Sequence, residues 1–268
     1  MHSHMLFFKK ILNFSKEAVK DTDKREATRY AVGNPFPFKS IITLIGHDGE
    51  GHIIPGDDKG QDWSGRLSNL SATGASMQMN AAAMATRGEP CKFKLSLGEY
   101  LLEIPGTVAH LRNCSQYVLC GVAFKFPDFN TQKAYLQVLE PVSIGASLEP
   151  VETKAIKPDS SGLQKEQYRN AGNALLNVWR PAPGGEIHRF DFRMNDFGVR
   201  WGAGMAELET YGIDSANSTG KKDEPPAIRK LTETQHEEVR WLFCLAVPNL
   251  AKAVPSDVRK FLGKLVAT

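Results

Sequence analysis

Short apolar runs separated by turn-forming residues fill the stretch from residue 39 to residue 126, and they restrict the fold more than any other feature. Regularly spaced runs of this length, with Gly, Pro, Asn or Asp between them, are typical of antiparallel β-sandwiches and β-barrels. We therefore expect a mainly β unit here, with a helix after it over residues 128–140. The predicted strands cover residues 41–45, 75–79, 92–97, 100–104, 108–111 and 118–126.

One long loop is expected inside this β unit, over residues 46–65. Six glycines and one proline punctuate the segment, and such residues favour turns over regular strands. We interpret the segment as an insertion between two strands of the unit.

The length of 268 residues allows one large domain or two smaller ones. Residues 146–162 contain Pro, Ser and Gly and few large apolar side chains, which is typical of a linker. We therefore expect the β unit to occupy residues 24–145 and a second unit to occupy residues 163–268.

The second unit is expected to be a smaller α+β unit of unknown type. The sequence predicts a helix over residues 164–179, a β-hairpin over residues 188–201 and two amphipathic helices before the C terminus. A capping box that starts at Thr232 or Thr234 is expected to begin the first of these two helices.

Residues 6–20 are predicted to form a short amphipathic helix, because Phe7, Ile11 and Phe14 follow the spacing of one helix face. Within the N-terminal segment 1–23, we expect this helix to pack on its own domain or on a partner. Contact with a membrane surface is the weaker alternative. The first four residues resemble a cloning remnant.

Charge is nearly balanced over the whole chain, with 33 Lys and Arg against 30 Asp and Glu, for a net charge of +3. This balance excludes a generally basic nucleic-acid coat protein, and no nucleic-acid partner is expected. Residues 1–29 hold seven basic and four acidic side chains, so the remaining chain is neutral. An anionic ligand is therefore expected near the N-terminal end.

The cysteine pattern and the absence of export signals favour the cytoplasm. The four cysteines form no C-x-x-C pair, no secretory signal is recognisable, and no apolar run is long enough for a transmembrane helix. The sequence also lacks a nucleophile elbow, a P-loop and a dinucleotide-binding glycine motif. We therefore expect a protein that is not an enzyme and that holds no metal ion and no cofactor.

Two arginines four residues apart, Arg25 and Arg29, stand just before the β unit. This spacing places both side chains on one side of an extended chain and also on one face of a helix. The planar guanidinium group suits bidentate contact with a phosphate or with the O6 and N7 atoms of guanine. The pair is therefore a candidate binding element for an anionic ligand.

A second segment carries polar side chains at alternate positions, Asn69 and Ser71, followed by Gly74. On a strand the first two side chains share a face, while Leu70 points inward. The Asn amide both donates and accepts hydrogen bonds, and the Ser hydroxyl contacts phosphate or base. Gly74 removes a side chain where the backbone turns or a ligand comes close.

Taken together and in this order, the two segments resemble the PilZ domain family. The family pattern has R-x-x-x-R before the first barrel strand, then [D/N]-x-S-x-x-G, and often a G-V-x-F strand near the end. Gly121, Val122 and Phe124 supply the last of these. The resemblance covers about residues 24–140, with Asn69 at the position where Asp is commoner.

The resemblance implies a six-stranded antiparallel PilZ-type β-barrel with a C-terminal helix, and binding of the bacterial second messenger cyclic di-GMP. In the family the two arginines hold phosphate and guanine, and the strand motif presents its polar side to a guanine. Carried over to this chain, the ligand-binding residues are Arg25, Arg29, Asn69, Ser71 and Gly74, with Lys24 as an additional phosphate contact.

Two functional hypotheses follow from this resemblance. The first is a cyclic di-GMP receptor that transmits binding to a protein partner or to its own C-terminal unit. The alternative is a PilZ-like adaptor that binds no nucleotide and acts in motility or secretion machinery. The retained arginines and serine favour the receptor.

Overall fold

The computed structural model describes residues 7–9, 11–12, 27–46, 50, 52, 60–152, 158–214 and 227–266. The chain divides into two compact units, residues 1–140 and residues 141–268. Lys24, Arg25 and most of the predicted N-terminal helix lie outside the described residues.

The first unit contains a closed antiparallel barrel of six strands, as the resemblance implied. Its sheet has the order β1-β3-β2-β5-β6-β7-β4, and an additional pairing of β3 with β4 closes the ring, with β1 attached to β3. The elements are β1 (Tyr30–Ala31), β2 (Lys39–Leu44), β3 (Gln61–Ser71), β4 (Gly74–Asn80), β5 (Pro90–Leu97), β6 (Tyr100–Asn113), β7 (Tyr117–Phe124) and the helix α1 (Phe129–Ala146).

Two predicted boundaries in the barrel are wrong. Residues 61–65, assigned to the inserted loop, begin β3. Gly65 allows β3 to lie close to β4, because a side chain at this position would come within 2.1 Å of the Gln78 carbonyl oxygen. Close strand contact explains this glycine better than a turn does. Residues 100–113 form a single strand, β6, instead of two, with a β-bulge between Val108 and His110 that shifts the register.

The described residues at the N terminus are not helical, in contrast to the prediction. Phe8 and Leu12 are buried, and the side-chain amide of Gln137 on α1 donates to the carbonyl oxygens of both residues. The Phe8 N–H donates in turn to Gln137 Oε1 at 3.1 Å. Because a buried side chain satisfies these backbone groups, the segment packs on its own unit without helical hydrogen bonds.

Tyr135 of α1 fixes the helix to the turn between β3 and β4. Its ring is fully buried, with the ring of Phe124 at 4.9 Å, and its hydroxyl donates to the Ser71 carbonyl oxygen at 2.7 Å. The Gly74 carbonyl oxygen lies 3.3 Å from the same hydroxyl. Burial raises the pKa of Tyr135, so the hydroxyl stays protonated and remains a donor.

The second unit is built on a seven-stranded antiparallel sheet whose strands follow one another in chain order. Two helices and a short 3₁₀ helix, Val247–Asn249, complete it. The elements are β8 (Glu149–Pro150), β9 (Gln164–Arg169), β10 (Leu175–Arg180), β11 (Arg189–Met194), β12 (Phe197–Gly202), β13 (Glu209–Ile213), β14 (Ile228–Arg229), α2 (Glu233–Ala246) and α3 (Ser256–Val266).

The predicted helix over residues 164–179 is wrong, since β9 and β10 form a hairpin there. β9 pairs with β10 in antiparallel register, and the side chain of Asn170 caps the turn by accepting from the Ala174 N–H at 3.0 Å. The predicted linker over residues 146–162 contains the last residue of α1 and all of β8. The predicted hairpin is confirmed by β11 and β12.

One face of this sheet packs against the helices. Phe190 and Phe192 of β11 are buried there, and the rings of Phe243 and Phe190 stack with centroids 5.8 Å apart. Arg180, which is also buried, donates to Glu166 at 2.6 Å and to Asp257 at the start of α3. This inner face therefore combines an apolar core with the ion pairs of the buried Arg180 side chain.

The four cysteines are free, and Cys91 and Cys120 are buried. Burial raises the pKa of each of these two thiols to about 12, so they remain protonated and behave as small apolar side chains. Among the described helices, none combines the length and the apolar character needed to cross a membrane.

Replacing Tyr135 with Phe is expected to lower the free energy of unfolding by about 1 kcal/mol, because the Ser71 carbonyl loses a buried donor. Urea denaturation of the full chain measures this change. Tyr100→Phe is the matched control, since the buried Tyr100 hydroxyl has no hydrogen-bond partner among the described residues. That variant should keep or gain stability, and equal losses in both variants would contradict the assigned role of Tyr135.

Candidate functional site

The short strand β1 brings the two predicted motifs together. Tyr30 pairs with Leu70 and Ala31 with Asn69, in antiparallel register. Continuing this register by one residue places Arg29 opposite Ser71. Arg29 and the strand motif are therefore neighbours in space, although β2 and residues 45–60 separate them in sequence.

Four of the six predicted site residues line one cavity of about 220 Å³ on the outer surface of the barrel. These four are Arg29, Asn69, Ser71 and Gly74, and Ala27 is the first described residue of the lining. The other two predicted residues, Lys24 and Arg25, lie outside the described residues. The structure therefore brings together every predicted site residue that it describes.

Two rows of residues cross the barrel strands to form this surface. One row joins Asn69 of β3, Ser76 of β4, Gly121 of β7 and His110 of β6. Because Ser76 is small and Gly121 has no side chain, the middle of the row is a depression between the Asn69 amide and the His110 imidazole. The second row, two residues further along, includes Ser71, Gly74 and Ala123.

The charge of the lining favours an anionic ligand. Arg29 and His110 are its titratable side chains, and no Asp or Glu stands among the described residues that line the cavity. The Arg29 side chain is exposed and carries its charge at the edge of the cavity. A guanidinium group at a partly desolvated surface favours bidentate contact with a phosphate or a base edge.

Ser71 is held in place by the hairpin that it closes. Its side chain is buried and its hydroxyl donates to the Gly74 carbonyl oxygen at 3.2 Å, while its own carbonyl accepts from Tyr135. A hydroxyl that donates in this way still has oxygen lone pairs that accept from a ligand N–H. Asn69, which is partly exposed, adds both a donor and an acceptor beside it.

Gly74 allows two strands to pack closely beside the site. A side chain at this position would place its first carbon 2.4 Å from the Val122 carbonyl oxygen of β7. The glycine therefore lets β4 and β7 come together directly beside the site. The sequence-based interpretation offered a turn or a ligand as the reason, and the structure adds the close packing of two strands.

His110 is a site residue that the sequence analysis missed. Simple alternation from buried Val108 would point residue 110 into the core, but the β-bulge at Ala109 turns the imidazole to the outer surface. The ring then lies over Gly121, where an added side-chain carbon would come within 2.1 Å of it. In the sequence, only Gly121 could have indicated the position of His110, because a residue without a side chain leaves room for a side chain from the neighbouring strand.

Comparison with known families assigns this unit. Residues 23–140 match the family model of the PilZ domain, which is less than half of the chain. This part of the chain therefore matches the PilZ domain, a family of ligand-binding receptor domains rather than of enzymes. The matched segment ends at residue 140, before the second unit.

A solved structure and the curated proteins were also compared with the chain. The PilZ domain with c-di-GMP of YcgR from Escherichia coli has 10% sequence identity and a TM-score of 0.29, covering 41% of this chain and 85% of that chain. No curated protein matches. Within the described ranges, no three His, Cys, Asp or Glu side chains come together as ligands for a metal ion.

Replacing Gly74 with Ala is expected to destabilise the first unit by about 1–3 kcal/mol, because the added methyl group would overlap a backbone carbonyl that cannot move freely. Thermal denaturation of the full chain reports the loss. Gly263→Ala in α3 is the contrasting control, since nothing lies within 4 Å of its added carbon. A helical Gly→Ala change stabilises by about 0.5–1 kcal/mol. Equal effects of the two variants would disprove the packing role of Gly74.

Proposed function

We propose that the PilZ domain binds cyclic di-GMP in the cavity between β1, β3, β4, β6 and β7. The observation that carries this proposal is the pairing of β1 with β3, which sets Arg29 beside Asn69 and Ser71 in one cavity. These are residues that the family uses for this ligand. The PilZ match over residues 23–140 supports the same assignment.

The chemistry of the lining suits the ligand. Cyclic di-GMP is a dianion with two guanine bases, so it needs cationic donors for phosphate and a mixed donor and acceptor surface for guanine. Arg29 supplies the first, and Asn69 with Ser71 supplies the second. The absence of a carboxylate among the described lining residues avoids repulsion of the phosphates.

The described cavity is smaller than the roughly 300–1,000 Å³ of pockets that enclose a whole drug-sized ligand. We propose that Arg25 supplies the second guanidinium group and Lys24 an additional phosphate contact. Both residues precede Ala27, the first described residue of the lining, by two or three positions.

We also propose that the protein acts as a receptor in the cytoplasm of a bacterium and transmits ligand binding to a partner or to its second unit. Tyr135 supports this view, because it joins the hairpin of the site to α1. Helix α1 spans residues 129–146 and so crosses the boundary between the two units. A ligand that contacts the hairpin would thereby act on the helix that leads into the second unit.

The Arg29→Ala variant is expected to bind cyclic di-GMP about tenfold to a hundredfold more weakly than the natural chain, because a charged bidentate contact contributes about 1.5–3 kcal/mol. Isothermal titration calorimetry of the full chain measures the change. The control is Arg66→Ala, which removes an exposed arginine of β3 that bonds Gln78 and does not line the cavity.

Unchanged affinity for cyclic di-GMP in Arg29→Ala would contradict the assignment of the site. If the natural chain itself gives no binding heat with cyclic di-GMP, the proposed function is wrong and the non-binding adaptor becomes the better hypothesis. A similar loss of affinity in Arg66→Ala would show that binding depends on the positive charge of the barrel as a whole and not on this cavity.

Two variants test whether the His110 imidazole, which lies over Gly121, contributes to cyclic di-GMP binding. Both His110→Ala and Gly121→Ala are expected to weaken cyclic di-GMP binding about fivefold, since the first removes the imidazole and the second displaces it. In the His110→Ala background, Gly121→Ala should cause no further loss, because the ring that it displaces is gone. Fully additive losses in the double variant, with unchanged melting temperatures, would exclude the imidazole from the site.

A further inference from the structure

The cavity of the first unit contains a buried serine that lies outside all three motifs of the PilZ pattern. Ser76 of β4 lines the cavity, although the residue is only 5% exposed. Its chain neighbours Ala75 and Met77 are buried in the barrel core. Because side chains alternate along a strand, the Ser76 side chain points away from the core and toward the cavity.

Ser76 differs from the other buried Ser and Thr residues in the part of the chain that the structure describes. Its hydroxyl makes no hydrogen bond to another described residue. Buried polar side chains generally have a hydrogen-bond partner, so a hydroxyl left open at a cavity is a candidate for contact with a ligand. The buried residues whose hydroxyls do bond within the chain are Ser40, Ser71, Thr131 and Thr210.

The polar side chains on either side of Ser76 are open to a ligand as well. Asn69 lies opposite Ser76 on β3, and His110 follows beyond Gly121 in the same row. Neither the Asn69 amide nor the His110 imidazole is hydrogen-bonded to a described residue. The row therefore presents donors and acceptors that the described fold does not use.

Strand register brings Ser76 within reach of the group that Asn69 contacts. Residues directly opposite each other on antiparallel strands have Cβ atoms about 4.5–5.5 Å apart. A guanine base carries several donors and acceptors along its edges, so an amide and a hydroxyl at this separation can contact one base together. Arg29 lies opposite Ser71, about 7 Å further along β3, where it is free to hold a phosphate.

We propose that the Ser76 hydroxyl is a further ligand contact and hydrogen-bonds the guanine base that Asn69 faces. This inference rests on the proposed function, since it assigns one more residue to the same ligand. The strand motif ends at Gly74, so the family pattern does not carry the assignment. It stands on the burial of Ser76, on the register of β3 with β4 and on a hydroxyl that the fold leaves unused.

The variant Ser76→Ala separates a role in binding from a role in folding. It removes one oxygen atom and breaks no hydrogen bond between described residues, so the melting temperature should stay within about 2 °C of that of the natural chain. The affinity for cyclic di-GMP should fall about fivefold to tenfold, because the ligand loses a hydrogen bond. Thermal denaturation and isothermal titration calorimetry of the full chain measure the two quantities.

Ser40→Ala is the matched control. Ser40 is equally buried on the barrel, at 4% exposed, but its hydroxyl donates to the Gly65 carbonyl oxygen at 2.7 Å, and the residue does not line the cavity. This variant should melt about 2–4 °C lower than the natural chain and bind cyclic di-GMP with unchanged affinity. A purely structural role for Ser76 would give Ser76→Ala the same behaviour as this control.

A second comparison separates the hydroxyl from the volume of the side chain. Ser76→Thr and Ser76→Val place side chains of nearly equal size at this position, and only the threonine variant keeps a hydroxyl. The threonine variant should bind cyclic di-GMP at least threefold more tightly than the valine variant. Equal affinities of these two variants would show that the hydroxyl makes no contact with the ligand.

The double variant N69A/S76A tests whether Asn69 and Ser76 hold the same base. Once one contact is lost the base is misplaced for the other, so the double variant should lose less affinity than the product of the two single losses. A loss equal to that product would overturn the shared contact with one base.

The natural chain decides which conclusion fails. If it binds cyclic di-GMP and Ser76→Ala binds with the same affinity, the role of Ser76 is wrong while the proposed function stands. If the natural chain gives no binding heat with cyclic di-GMP, the proposed function and the role of Ser76 are both wrong.

Discussion

Two residues of β1, Tyr30 and Ala31, pair with Leu70 and Asn69 of β3, and the candidate nucleotide site depends on this short ladder. Without it, the arginine motif and the strand motif would belong to separate parts of the chain. A two-residue strand has little stability of its own, so the barrel that presents β3 must form first. The site is therefore a product of tertiary pairing, and its affinity includes the cost of keeping β1 in place.

The sequence was informative wherever function or capping chemistry needs particular residue types. Arg29, Asn69 and Ser71 were predicted as one site, and the cavity contains all three. Of the two capping boxes considered, the structure contains the one in which Thr232 accepts from the Gln235 N–H and Gln235 accepts from the Thr232 N–H. The sequence could indicate both the clustering of these residues and the capping box, because short spacings and side-chain chemistry can be read directly from a sequence.

The errors arose where partners distant in sequence decide the structure. Residues 164–179 have apolar residues at spacings compatible with a helix, but pairing of β9 with β10 overrides that local preference. Gly65 resembles a loop residue until its neighbour on β4, the Gln78 carbonyl, is known. His110 was missed because the β-bulge that turns it outward is a property of two paired strands and has no signature in either strand alone.

The β-bulge at Ala109 shifts the alternation of side chains along β6 by one residue. Up to Val108 the strand follows one alternation of inward and outward side chains, and from His110 onward it follows the opposite one. A regular strand built from the same residues would exchange the inward and outward positions from His110 to Asn113 without any change of sequence. A chain related to this one could therefore keep every recognisable motif and still differ in what its barrel presents to a ligand, depending only on whether β6 is bulged at this position.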